Sequence, residues 1–102
     1  MNFKITGVKN VLEVYEDRVE VKPKGVLGFV EGNGNETIFI KDIKSVGVRE
    51  CSFFNGGHIE LTSAAITRKI DFGGFSGRAE MNETANKIKT FILDKNTPLT
   101  SF

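Results

Sequence analysis

One run of residues limits the possible folds more than any other. Residues 79–95 carry apolar side chains at helical spacing, whereas the remainder of the 102-residue chain reads as short strands and turns. Met81, Thr84, Ala85, Ile88, Phe91 and Ile92 recur at three- and four-residue steps, which places them on one helical face. At roughly 1.5 to 3 kcal/mol for each large apolar side chain buried, the stripe contributes on the order of 10 kcal/mol, an upper figure because denatured chains already bury some area. A sheet must receive it. Glu80 and Glu83 early in the run and Lys87, Lys89 and Lys95 later agree with the helix dipole. Ser76 and Asn82 are the candidate caps, and Thr97 and Pro98 end the segment.

With 39% hydrophobic and 26% charged residues, the chain has enough apolar material for one core and too little length for two, so a single domain over 1–102 is expected. Its core covers about 10–95, and 96–102 form a tail. Fourteen basic and thirteen acidic residues leave a net charge of +1, which excludes a large uniform field for nucleic acid or anionic membrane. The opening MNFKITGVKN has no long apolar core, and no stretch approaches the roughly 18 apolar residues of a membrane span. The single cysteine, Cys51, cannot form an internal disulfide, so a reducing cytoplasm is the expected setting.

Alternation with a period of two marks the strands. Residues 3–8 read as a short strand or an arm. Residues 11–15 and 18–22 read as a hairpin turning at Glu16 and Asp17, with Leu12, Val14, Val19 and Val21 inward. Pro23 ends its regular pairing. Gly25, Gly28, Gly32 and Gly34, with Asn33 and Asn35, then mark a turning connection. A strand at 37–41 follows, then one at 43–50 whose apolar pattern slips and predicts a bulge near Lys44 and Ser45. Asn55, Gly56 and Gly57 suit a primed hairpin turn with positive φ. Strands at 58–62 and 67–72 come next, with Ile59, Leu61, Ile70 and Phe72 inward and a turn at Ala64 and Ala65 between them.

Six or seven short antiparallel strands followed by one helix have few compact arrangements. The best is a mainly β fold, a curved sheet closed into a partly open barrel with the helix over its open end. The hairpin VLEVYEDRVEVKPKG, the connection GVLG, the run TIFIKDIKSVGVRE, the hairpin NGGHIELTS and the terminal helix together resemble the bacterial pleckstrin-homology-like domain family over about 10–95. The resemblance implies two roughly orthogonal sheets capped by a C-terminal helix. It implies no catalytic residues.

The catalytic candidates are few. His58 and Cys51 flank one hairpin, but no residue pattern supplies a group to orient the imidazole, and two such ligands leave zinc underfilled. No catalytic, metal or cofactor residue is therefore expected. Gly28, Gly32 and Gly34 lack the following Lys-Ser or Lys-Thr and the strand-turn-helix context of a phosphate loop.

Two surfaces are candidates for binding. Nine phenylalanines occur without a tryptophan: Phe39, Phe72 and Phe91 fit core positions, whereas Phe29, Phe53, Phe54 and Phe75 lie in or beside glycine-rich connections as possible partner contacts. Lys22, Lys24, Lys41 and Lys44 are possible anion or lipid contacts, with Arg49, Arg68 and Lys69 near them. Pleckstrin-homology relatives that bind phosphoinositides place basic residues at the first hairpin turn, where this chain has Glu16 and Asp17. Four lysines gathered on one surface would supply roughly 4 kcal/mol toward an anionic membrane, a millimolar interaction. The expectation is a non-enzymatic interaction domain acting through self-association or protein binding; weak anionic-lipid binding is the alternative.

Overall fold

A computed structural model describes residues 1–23, 35–52, 54–73 and 77–96. Seven strands and one helix follow in order: β1 (Phe3–Thr6), β2 (Asn10–Val14), β3 (Arg18–Pro23), β4 (Glu36–Phe39), β5 (Ile43–Arg49), β6 (Gly57–Ser63), β7 (Thr67–Phe72) and α1 (Arg78–Asn96). β1 to β4 form one antiparallel sheet in chain order and β5 to β7 a second. The sheets do not close on one another. The fold is mainly β with one C-terminal helix, consistent with the partly open, helix-capped arrangement expected above.

Alternation sets the register. Phe3, Val14, Val19 and Ile38 form one row across the first sheet, and Ile5, Leu12 and Val21 form another on the same face. Val48, Ile59 and Ile70 form the matching row of the second. A slip of one residue would turn these rows to solvent, so burial of one face pins the pairing. The anticipated bulge falls between Ile43 and Ser45. Residues 3–6 form a true strand, and Pro23 is the last paired residue of β3, opposite Asn10.

The two sheets meet at a corner between β1 and β2. There the Val8 N–H donates to the Asp71 carbonyl of β7 at 2.7 Å. A Cβ on Gly7 would stand 2.4 Å from that same oxygen and 2.8 Å from Ile70 Cγ2, so only glycine lets the backbones come this close.

The helix fills the interior with Ala85, Ile88 and Ile92, each fully buried, while Met81 and Phe91 pack at its margins. Phe91 meets Phe3 of β1 edge to face, ring centroids 5.4 Å apart. At its far end Asn96 donates to both the Ile40 and Ile43 carbonyls, tying α1 to the turn between β4 and β5.

Four expectations need correction. The strand expected at 37–41 ends at Phe39, and Ile40–Asp42 form a single 3-10 turn. Phe39 is exposed rather than in the core, because Ile38 and Ile40 take the inward positions on either side of it. The 55–57 segment is not a primed turn. No positive φ occurs among its described residues; β5 stops at Arg49, and a seven-residue connection, 50–56, leads into β6. Gly57 opens β6, where a Cβ would stand 2.5 Å from the Arg49 carbonyl. Lastly, Asn82 is not a cap. Gly77 accepts the first helical bond from the Met81 N–H, and Asn82 lies in the second turn. Ser76 and the glycine connection 25–34 fall outside the described residues.

Candidate functional site

A sheet that does not close has edges, and each edge must be covered or left open. Three of the four are covered. β1 lies against α1 through Phe3 and Phe91. The end of β5 is held to α1 because Asn82 accepts from the Cys51 N–H at 2.8 Å and donates to the Cys51 carbonyl at 3.0 Å, while Asn86 donates to Glu50. β7 meets the first sheet at Val8 and, through Arg68, at Glu36. Among the described residues, the edge of β4 away from β3 is met at its start by that same Arg68–Glu36 contact, and the stretch from Thr37 to Phe39 has no such cover.

The phase of the β3–β4 ladder decides what this edge presents. The Ile40 N–H donates to the Asp17 carbonyl at 3.0 Å, one step beyond the Arg18–Phe39 pair. Bonded pairs alternate along an antiparallel ladder, so Val19–Ile38 and Val21–Glu36 are the bonded ones. Thr37 and Phe39 therefore aim their N–H and C=O groups away from β3.

Beside that edge runs a cleft of about 390 Å³ lined by Thr37, Ile38, Phe39, Lys41, Asp42, Lys44 and the turn from Ser63 to Ile66. The opposite wall is braced: the Ser63 N–H donates to the Ile66 carbonyl at 2.8 Å, and the Ile66 N–H donates to Ser63 Oγ at 3.2 Å. Ile66 packs against the core, and Ala64 and Ala65 are exposed. Two residues beyond this wall, Arg68 of β7 grips both carboxylate oxygens of Glu36. That guanidinium holds the Glu36 carboxyl below the usual range, against the smaller opposing effect of burial.

Of the phenylalanines proposed as contacts, Phe54 is 87% exposed in the 50–56 connection. It stands at the opposite end of β5 from Phe39, a strand of seven residues that spans about 20 Å. Phe29, Phe53 and Phe75 lie outside the described residues. Phe39, assigned to the core from sequence, is the aromatic residue of the cleft, 47% exposed.

The basic residues divide as well. Lys22 sits at the end of β3 near the β1–β2 corner, with its ammonium 3.0 Å from Glu13 and 3.8 Å from Glu20. The bond to Lys22 holds the Glu13 carboxyl low, and the Glu13 bond in turn pushes the Lys22 ammonium up. Glu13 also accepts from the Tyr15 hydroxyl, and Arg18 stacks 4.4 Å from the Tyr15 ring centroid. The outer face of β2 and β3 is thus a closed network of paired charges. Lys41 and Lys44 line the cleft at the other end of the sheet, both exposed and with no ion pair among the described residues. Lys24 lies outside the described residues.

Cys51 is buried, its thiol 3.9 Å from the Arg78 carbonyl. His58 is half-buried on β6, opposite Arg49 and Asp71. Among the described residues, no group of three or more metal-ligating side chains gathers, and no helix is long and apolar enough to cross a membrane. Comparison with family models, with curated proteins and with solved structures found no match for this chain.

Proposed function

We propose that this chain is a non-catalytic interaction domain on a pleckstrin-homology-like scaffold, which accepts an extended strand from a protein partner or from a second copy along β4. The observation that carries the reading is the pair of outward-facing backbone groups at Thr37 and Phe39, set beside a cleft with a braced far wall. Main-chain hydrogen bonds to such an edge supply affinity, and alternate side chains seated beside it supply selectivity. The cleft joins all the parts this mode needs: a strand edge, an exposed aromatic ring and an apolar wall. The proposal includes a cytoplasmic setting, in which the buried Cys51 thiol stays reduced.

Anionic lipid is the alternative partner. Its support is thinner, because Lys22 is committed to Glu13 and Glu20 and lies at the other end of the sheet from Lys41 and Lys44.

Selection from a random peptide library, run in parallel on the wild type and on Thr37→Pro, tests strand addition. Proline at this position removes an outward N–H and no bond of the β3–β4 ladder, so the sheet is kept while the edge is blocked. Enrichment of binders by the wild type that Thr37→Pro fails to retain supports the reading. Equal retention by both proteins, or no enrichment from a wild type that stays monomeric at all concentrations, contradicts it.

A further inference from the structure

The cleft has a polarity that restricts what can enter it, an argument that rests on the strand-addition reading above. Its two ends differ in charge. Toward the start of β4, Glu36 and Arg68 neutralise one another. Toward the end, Lys41 and Lys44 face the cleft with Asp42 between them, and the acidic Glu16 and Asp17, which share an adjoining hollow with Lys41, are already paired with Lys95 and Arg18. Neither lysine has an ion-pair partner among the described residues. Among the described residues, the other basic side chains beside β4 are engaged: Arg18 with Asp17 and Glu20, Arg68 with Glu36, and Lys95 with Glu16.

Length is restricted too. β4 has four residues, about 13 Å of edge, before the chain turns away at Ile40–Asp42. A docked strand therefore has about four residues in register. Those whose side chains point inward meet Ile38 and Ile66, and those pointing outward lie beside Thr37 and Phe39.

From these constraints we infer that the partner segment is an acidic peptide of a second protein: a short extended run with apolar residues at alternate positions, bearing carboxylates at the end that reaches Lys41 and Lys44. Opposite charge there fixes the register of the incoming strand, which backbone bonds alone leave free to slip by two residues.

Capped hexapeptides test this directly. Asp-Asp placed before or after Val-Thr-Ile-Thr is compared with the same sequences carrying Lys-Lys, by fluorescence anisotropy at low and high salt. The acidic forms bind at least about tenfold more tightly, the effect of two exposed ion pairs, and the advantage shrinks as salt rises. The double variant Lys41→Glu, Lys44→Glu reverses the preference without touching the core, since both side chains are exposed. Acidic peptide that raises the native mass to a dimer, rather than adding its own, would point to a second copy on β4 and overturn the inference. Equal binding of acidic and basic peptides, both lost in Thr37→Pro, overturns the acidic specificity and leaves strand addition standing. Binding of neither overturns the specificity, and the library selection then decides strand addition by itself. Acidic binding that survives the double charge reversal also overturns it.

Discussion

Arg68 on β7 and Glu36 on β4 form a two-pronged ion pair across the gap between the two sheets, Nε to Oε1 and Nη2 to Oε2. Each extends from the inward face of its strand: Glu36 stands opposite buried Val21 and Arg68 opposite buried Leu61. Together they fasten the corner at which a fully closed barrel would continue its ladder, and they form the neutral end of the cleft beside β4.

This pair gives the domain a pH dependence. The Glu36 carboxyl is held low by Arg68 in the folded chain, and Glu13 is held low by Lys22. As pH falls, the unfolded chain therefore takes up protons first, and stability is lost as pH drops below the usual glutamate range, roughly 4.3, through the folded-state values. Above that range the contribution is complete. The Glu36 side chain is about a third exposed and Glu13 less so, and each carboxylate supplies about 1 kcal/mol or less after screening. Urea denaturation from pH 3 to 7 should show the decline, with a smaller slope in Glu36→Gln.

The bridge from Asn82 to Cys51 is a second long-range tie. Its amide satisfies both the N–H and the C=O of one backbone unit beyond β5. Alanine leaves both without their partner, and Asn82→Ala should lose about 1 to 3 kcal/mol in urea denaturation. Asn86→Ala, which removes an exposed bond to Glu50, should stay within about 0.5 kcal/mol of the wild type.

At the corner between the sheets, Gly7→Ala forces either the Asp71 carbonyl or the β1–β2 turn to move, because its Cβ would sit 2.4 Å from that oxygen. The expected cost is about 1 to 3 kcal/mol, measured as a fall in the denaturation midpoint at unchanged slope.

Phe39 is a test of the corrected burial. As a surface ring, its replacement by serine should change stability by no more than about 0.5 kcal/mol, whereas a core phenylalanine would cost about 3 to 5. The same substitution should weaken any peptide that docks along β4.

Why the sequence misplaced Phe39 is instructive. In Thr37, Ile38, Phe39, Ile40 every residue after the threonine is apolar, so alternation alone admits either phase. The phase was set by the turn that follows, which needs Ile40 inward and therefore Ile38 with it. Val14, Val19 and Val21, by contrast, have charged or polar residues on both sides and fix the phase that Leu12 shares, so these inward positions were legible outright. The stripe of α1 was equally clear in Ala85, Ile88 and Ile92. The candidate site was not. Its walls come from residues 37–44 and 63–66, brought together by the crossing of two sheets, and the ties at Asn82 and Arg68 reach 31 and 32 residues along the chain. No local pattern carries such pairings, and lysines at the two ends of one sheet read in sequence as a single patch.

The most direct measurement is amide hydrogen exchange across β4 in the free protein, because strand addition requires N–H groups on this edge that lack a partner within the chain. Ile38 and Ile40 should be protected by the carbonyls of Val19 on β3 and of Asp17 just before it, while Thr37 and Phe39, which alternate with them, exchange at rates close to those of open loops. Protection at Thr37 and Phe39 equal to that of Ile38 would show the edge already covered within the chain and would contradict the central claim.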